Sequence, residues 1–258
     1  MQLNLTDKII AVSGGAKGIG AAICSTLIEE GAFPVILDKD QMATHQFLAR
    51  YKPSQSAAYI TDLSEPENCR LAVKYIQSQY GKLDGLVNNA GVNDGIGLDN
   101  GTPAKFMESI QRNLLQVYSL THFSLPLLKE SRGPIVNISS KTAITGQGNT
   151  SGYVASKGGI LGLTREWAVD LLQSKIRVNT VVPAEVFTPL YEQWLKQFSD
   201  PVEKKKEIEK QIPLENRMTT PQEIADMVVF LLSSRSSHTT GQIIFVDGGY
   251  THLDRAIT

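Results

Sequence analysis

Short apolar runs alternate along the chain with longer stretches whose apolar residues recur every three or four positions. The runs at 8–13 (KIIAVS), 34–37 (PVIL), 57–61 and 83–88 are short and bounded by turn-forming or charged residues, so each predicts a strand. Between them, 19–30, 41–51 and 65–80 carry helical spacing, as at Ile19, Ile23 and Leu27. The second half repeats the pattern. It predicts a helix in two pieces over 103–129, a strand at 135–139, a helix at 151–173 and a strand at 177–182, then a helix at 221–232 and a strand at 242–246. Strands that alternate with longer helices build βαβ units and a parallel sheet, and burial on both faces explains the unbroken apolar runs. The expected fold class is therefore α/β, a doubly wound parallel sheet of seven strands. Nothing in the sequence marks a linker or repeat, so 1–258 is expected to be one domain.

Composition changes this picture little. Of 258 residues, 41% are hydrophobic and 20% charged, which excludes overall disorder. Net charge is −1, and a protein that grips phosphate backbones carries a basic excess, so no nucleic-acid partner is expected. Cys24 and Cys69 cannot staple a chain this long, and the four histidines are scattered, so no metal site is expected. No apolar stretch is long enough for a bilayer, and residues 1–8 lack the pattern of a signal peptide, so the expected location is cytoplasmic with no membrane partner. Lys204, Lys205 and Lys206 sit among Glu203, Glu207 and Glu209, as on a solvated helix face.

Chemistry concentrates at the ends of the strands. Gly14, Gly18 and Gly20 lie between the first strand and the first helix. A tight turn there needs residues without a Cβ, and the helix beginning beside it offers free N–H groups to a pyrophosphate. Asp38 ends the second strand, where a carboxylate accepts from ribose hydroxyls and repels a 2′-phosphate, favouring NAD. Lys17 argues the other way, since it can pair with that phosphate, so NADP stays possible. Asp62 fits an adenine contact or the first turn of a helix equally well. Residues 88–91 (NNAG) fit either a ligand crevice at a strand end or a simple turn. Tyr153 and Lys157 share one helix face, and an ammonium held close lowers a phenol's pKa, although this spacing also describes an ordinary surface pair. Ser140 stands at the end of the fifth strand, and Asn113 lies inside a helix, where its residue type is mildly unfavourable.

Gly14/Gly18/Gly20, Asp62, Asn88-Asn89-Ala90-Gly91, Asn113, Ser140, Tyr153 and Lys157 together resemble the short-chain dehydrogenase/reductase family, over residues 5–250. The resemblance implies a Rossmann-type sheet with strand order 3-2-1-4-5-6-7. It implies Tyr153 as the acid/base, Ser140 orienting the substrate oxygen, Lys157 binding ribose and lowering the phenol pKa, and Asn113 holding a proton-relaying water. Contacts to the dinucleotide are implied for Gly14, Lys17, Gly18, Ile19, Gly20, Asp38, Asp62, Leu63, Asn89, Ala90, Gly91, Tyr153, Lys157, Pro183, Val186 and Thr188. Residues 188–212 resemble the family's substrate lid. Ala184 replaces the usual glycine after Pro183, which questions the local turn if it needs positive φ. A homotetramer packed through 103–130 and 151–173 is also implied.

Residues 90–98, 139–143, 146–153, 183–185 and 248–255 further resemble a subgroup of the family, bacterial L-fucose dehydrogenases, which oxidise the anomeric hydroxyl of a sugar to a lactone. The sugar would be L-fucose, L-galactose or D-arabinose. The substrate contacts expected on this reading are Asn93, Ser140, Lys141, Gln147, Tyr153, Glu185 and Trp194. Two alternatives compete. A carbonyl reductase of ketoacyl or steroid-like substrates shares the fold but wants a more apolar pocket. A non-enzymatic nucleotide-binding module would show a broken tetrad, whereas Asn113, Ser140, Tyr153 and Lys157 are all present.

Overall fold

The computed structural model describes residues 2–253, so Asp254 and Arg255 of the tail motif lie outside the described residues. The first half runs β1 (Ile9–Ser13), α1 (Gly18–Glu29), β2 (Phe33–Asp38), α2 (Gln41–Leu48), β3 (Ala57–Ile60), α3 (Pro66–Tyr80) and β4 (Gly85–Asn88). The second runs α4 (Pro103–Ile110), α5 (Gln116–Ser131), β5 (Ile135–Ile138), α6 (Thr142–Thr145), α7 (Ser151–Asp170), β6 (Val178–Pro183), α8 (Pro189–Leu195), α9 (Pro201–Glu209), α10 (Pro221–Leu232) and β7 (Ile243–Val246). The seven strands form one sheet in the order β3-β2-β1-β4-β5-β6-β7, and every pairing is parallel. Because the chain winds outward from β1 to β3 and then returns to β4, the ends of β1 and β4 diverge. A crevice opens there at the carboxyl edge.

Alternate strand residues point to opposite faces, so each strand feeds two cores. Val12, Ile36, Val87, Val136 and Val181 pack against α1 and α10 through Ile23, Leu27, Val228 and Leu232. Ala11, Val35, Leu86, Ile135 and Val178 pack against α3, α5 and α7 through Ile76, Leu128 and Ile160. Cys24 and Cys69 are free thiols buried in these layers. Burial pushes the Cys69 thiol up to about 12 and the Cys24 thiol further, so neither is a thiolate at neutral pH.

Polar residues cross the sheet in register beneath the crevice. Asn88, Asn137 and Thr180 are aligned on β4, β5 and β6. Asn88 Nδ2 donates to Thr121 Oγ1 at 2.9 Å and to Asn137 Oδ1 at 2.8 Å, and Asn137 Nδ2 donates to Thr164 Oγ1 at 2.9 Å. The first Asn of the NNAG motif therefore pins α5 to the strand ends, and Asn137 pins α7.

The two-piece helix over 103–129 has a physical joint. Gln111–Leu115 form a π-helical turn between α4 and α5. The segment 188–212 contains α8 and α9, each with Pro at its first turn. The Thr188 side chain accepts from the Tyr191 N–H, and the Asp200 side chain from those of Val202 and Glu203. On α9, Lys204, Lys205 and Lys206 pair with Glu207, Glu209 and Glu203, and the helix buries no residue. Helix α6 has no counterpart in the sequence pattern, because four residues are too few for a period. No helix among the described residues is long and apolar enough to cross a membrane.

Candidate active site

After β1 the chain turns through Gly14 at φ +63°. A Cβ on Gly20 would stand 2.0 Å from the Gly14 carbonyl oxygen, so the first helical turn can rest on the loop only without one. Asn89 Nδ2 donates to the carbonyls of Ser13 and Gly14, both at 3.0 Å. Ser13 Oγ accepts from the Asn89 and Ala90 N–H groups at 2.9 and 3.0 Å. The loops after β1 and β4 are thereby stitched into one rim. Lys17 caps α1 without a side-chain hydrogen bond to the first turn, which leaves those N–H groups without a side-chain acceptor. This glycine cradle fits the pyrophosphate of a dinucleotide.

At the end of β2, Asp38 Oδ2 accepts from the Ala16 N–H at 3.1 Å and Oδ1 from the Asp40 N–H at 3.0 Å. Lys17 pairs with Asp40, and Lys39 with Asp62 at 3.2 Å. Burial tends to raise the Asp62 carboxyl, but hydrogen bonds from Ser64 and Lys39 outweigh it and hold the group below the usual carboxylate range. Both nearby lysines are thus already paired with acids.

The other end of the crevice carries the reactive groups. Ser140, just beyond β5, is buried, and its Oγ accepts from Thr142 Oγ1 at 3.0 Å. Tyr153, in the first turn of α7, lines the crevice with Ser140, whose hydroxyl acts to lower the phenol's pKa. One turn further, buried Lys157 donates Nζ to the Ile138 carbonyl at 2.8 Å and lies 5.6 Å from the centre of the Tyr153 ring. Asn113 occupies the π-helical turn, fully buried. Its Oδ1 accepts from the Val92 N–H at 2.7 Å, and its Nδ2 donates to the Ser109 carbonyl at 3.0 Å. A Cβ on Gly91 would come 3.1 Å from Asn113 Oδ1 and 3.3 Å from Lys157 Nζ, so these groups converge on Gly91.

One electrostatic expectation is corrected. Burial raises the Tyr153 phenol above its ordinary value, only partly offset by the Ser140 hydroxyl. Desolvation also pushes the Lys157 ammonium down to about 8. In this state Lys157 does not depress the phenol, because the same dry environment disfavours both charged forms.

The crevice, about 800 Å³, is lined by every residue expected to touch the dinucleotide, from Gly14 and Lys17 to Val186 and Thr188, and by Ser140. Asn113 stands behind Gly91 rather than in the lining. Ala184 also lines the crevice and needs no positive φ, so the loop closes without the usual glycine. The substrate candidates divide. Lys141 and Glu185 form a mostly buried ion pair with each other. Neither lines the crevice, and nor do three others. Asn93 is exposed and accepts from Thr150 Oγ1. Gln147 lines a separate open recess with Lys141 and Tyr250, and Trp194 packs edge-on against Tyr191 and Phe198. Arg112, Gln116 and Tyr191 also line the crevice and escaped the sequence reading. Gln116, one turn beyond Asn113, donates to the Ala90 carbonyl at 2.8 Å, and helical spacing from Asn113 was the available signal for it.

A family model described as enoyl-(acyl carrier protein) reductase matches residues 14–251. The chain belongs to the short-chain dehydrogenase/reductase family. Membership makes it an oxidoreductase with a nicotinamide dinucleotide cofactor, which the crevice fits. An L-fucose dehydrogenase of Bos taurus is 37% identical over 96% of this chain and 91% of its own length. That relative is mammalian, where the sequence resemblance pointed to bacterial enzymes. Among solved structures, Cj0485 dehydrogenase is 43% identical with a TM-score of 0.94, covering 99% of this chain and 98% of that one. The aldohexose dehydrogenase of Thermoplasma acidophilum is 31% identical with a TM-score of 0.87, at the same coverage.

Proposed function

We propose that this protein oxidises the anomeric C1 hydroxyl of an aldose of the L-fucose type, with NAD as the preferred hydride acceptor, giving a lactone. The observation that carries the reading is that Ser140, Tyr153 and Lys157, from two separate elements, line the dinucleotide crevice together, with Lys157 one turn along the same helix from Tyr153. The similarity to an L-fucose dehydrogenase and an aldohexose dehydrogenase supports a sugar as the substrate.

The bound dinucleotide supplies a nicotinamide carbon that accepts hydride from C1. Ser140 Oγ orients the C1 oxygen by hydrogen bonding. The Tyr153 phenolate takes the hydroxyl proton as the carbon–oxygen double bond forms, which is general base catalysis. Lys157, held by the Ile138 carbonyl, would bind the ribose hydroxyls beside Tyr153. Asn113, fixed through Val92 and Ser109, keeps the π-helical turn open for a water that passes the proton outward.

The protein is expected to act as a homotetramer in the cytoplasm. The exposed apolar residues Met107, Leu115 and Tyr118 on one helical segment, and Val169 and Leu172 at the end of α7, supply the faces for it.

An aldose panel assayed separately with NAD and NADP tests the reading. L-Fucose, L-galactose and D-arabinose should turn over and D-glucose should not, because a site that hydrogen-bonds a hydroxyl strongly rejects the wrong configuration. Similarity to a 3-oxoacyl-(acyl-carrier-protein) reductase of Thermotoga maritima, 32% identical over 96% of this chain, favours a second reading, a carbonyl reductase of ketoacyl substrates. Reduction of an acetoacetyl thioester with indifference to every aldose would establish it.

A further inference from the structure

Four separate segments meet at one buried ion pair. Lys141 follows Ser140 directly, and its N–H donates to the Pro183 carbonyl at 2.9 Å. Its ammonium pairs with Glu185 Oε1 and stands 3.9 Å from the centre of the Tyr250 ring. The second carboxylate oxygen, Glu185 Oε2, accepts from the Tyr191 hydroxyl at 2.7 Å. Tyr191 belongs to α8, over the crevice, and its ring lies edge-on to Trp194. The backbone of Glu185 is itself fixed, since its carbonyl accepts from the Thr219 N–H at 3.0 Å while the Phe187 N–H donates to the Thr219 carbonyl at 3.1 Å.

The rest of α8 is loosely held. It has seven residues, Leu195 is the one it buries, and Leu190 is 65% exposed. A helix this short draws little stability from its own hydrogen bonds. A hydrogen bond to a mostly buried carboxylate is among the stronger polar contacts a side chain makes, so its share in placing α8 is large.

We propose that Tyr191, Glu185 and Lys141 form a latch that holds α8 closed over the substrate end of the crevice, with Tyr191 as the positioning residue on the moving side. The latch rests on the reading of the crevice as a dehydrogenase site. It acts on retention of the substrate: an unlatched α8 lets the sugar leave faster, while Ser140, Tyr153 and Lys157, on other elements, keep their geometry. Closure of such a segment gates binding rather than the chemical step.

Tyr191→Phe removes one hydroxyl and keeps the ring, so folding is preserved. With L-fucose as substrate, this variant should raise KM about 10-fold and change kcat less than about 2-fold. Glu185→Gln should do the same, and the double variant should be no worse than the worse single one, because the two residues act as one unit. The rise in KM should be equal for L-fucose and D-arabinose. A rise confined to one sugar, or additive effects in the double variant, would make Glu185 a direct sugar contact and overturn the latch. Hydrogen exchange of the amides of residues 189–195 in the dinucleotide-bound protein reads the latch without any substrate. Both single variants should speed it about 10-fold. Unchanged exchange in Tyr191→Phe defeats the latch whatever the substrate proves to be. Faster exchange without oxidation of any aldose leaves the latch standing and defeats the sugar reading alone.

Discussion

The backbone N–H of Ala16 donates to Asp38 Oδ2 at 3.1 Å, tying the glycine loop to the end of β2. The carboxylate is thereby held at the edge of the crevice, where an adenosine ribose lies in a fold of this kind. Lys17, which sequence alone leaves free to meet a 2′-phosphate, is paired with Asp40 instead. A phosphate would face a fixed acid and would have to draw the lysine off its partner. NAD is therefore expected to exceed NADP in kcat/KM. Asp38→Ala should narrow that preference at least about 10-fold, which steady-state kinetics with both cofactors measures. A native preference for NADP contradicts the assignment.

Tyr153→Phe removes the proton acceptor and leaves the ring in place. Turnover should fall at least about 10²-fold, while dinucleotide affinity, read by fluorescence titration, stays nearly constant. Turnover close to that of the native protein would take Tyr153 out of the mechanism.

Lys157 gives a pH signature in stability. Burial lowers its folded-state value from the ordinary 10.5 to about 8. Between those values the unfolded chain binds more protons than the folded one, so stability rises with pH across that window. The rise attributable to this group is about 3 kcal/mol. In Lys157→Met it should be absent. Urea midpoints at pH 7.5 and 10 compare the two proteins, and equal slopes would show that the ammonium is not desolvated.

Gly20→Ala places a Cβ where the Gly14 carbonyl oxygen already stands, 2.0 Å away. The loop must shift and the cradle with it. Calorimetry should show dinucleotide binding weakened at least about 10-fold, with far-ultraviolet circular dichroism preserved. Unaltered affinity would place the pyrophosphate elsewhere.

The sequence by itself determined the alternation of strands and helices, because burial of a parallel sheet on both faces dictates runs that periodicity exposes. It also marked the residues whose chemistry depends on local spacing or backbone freedom: Gly14, Gly18 and Gly20 in one turn, and Tyr153 with Lys157 on one helix face. Only the tertiary structure decided what depends on desolvation and on partners distant in the chain. Burial raises the Tyr153 phenol and lowers the Lys157 ammonium, against the sign that spacing alone suggests. Lys141 and Glu185, 44 residues apart, claim each other, and Tyr191 joins them from α8. Asn93, Gln147 and Trp194 are polar or aromatic in the right segments, yet the loops of the first two and the packing of α8 carry them out of the crevice, since side-chain direction there is set by distant partners.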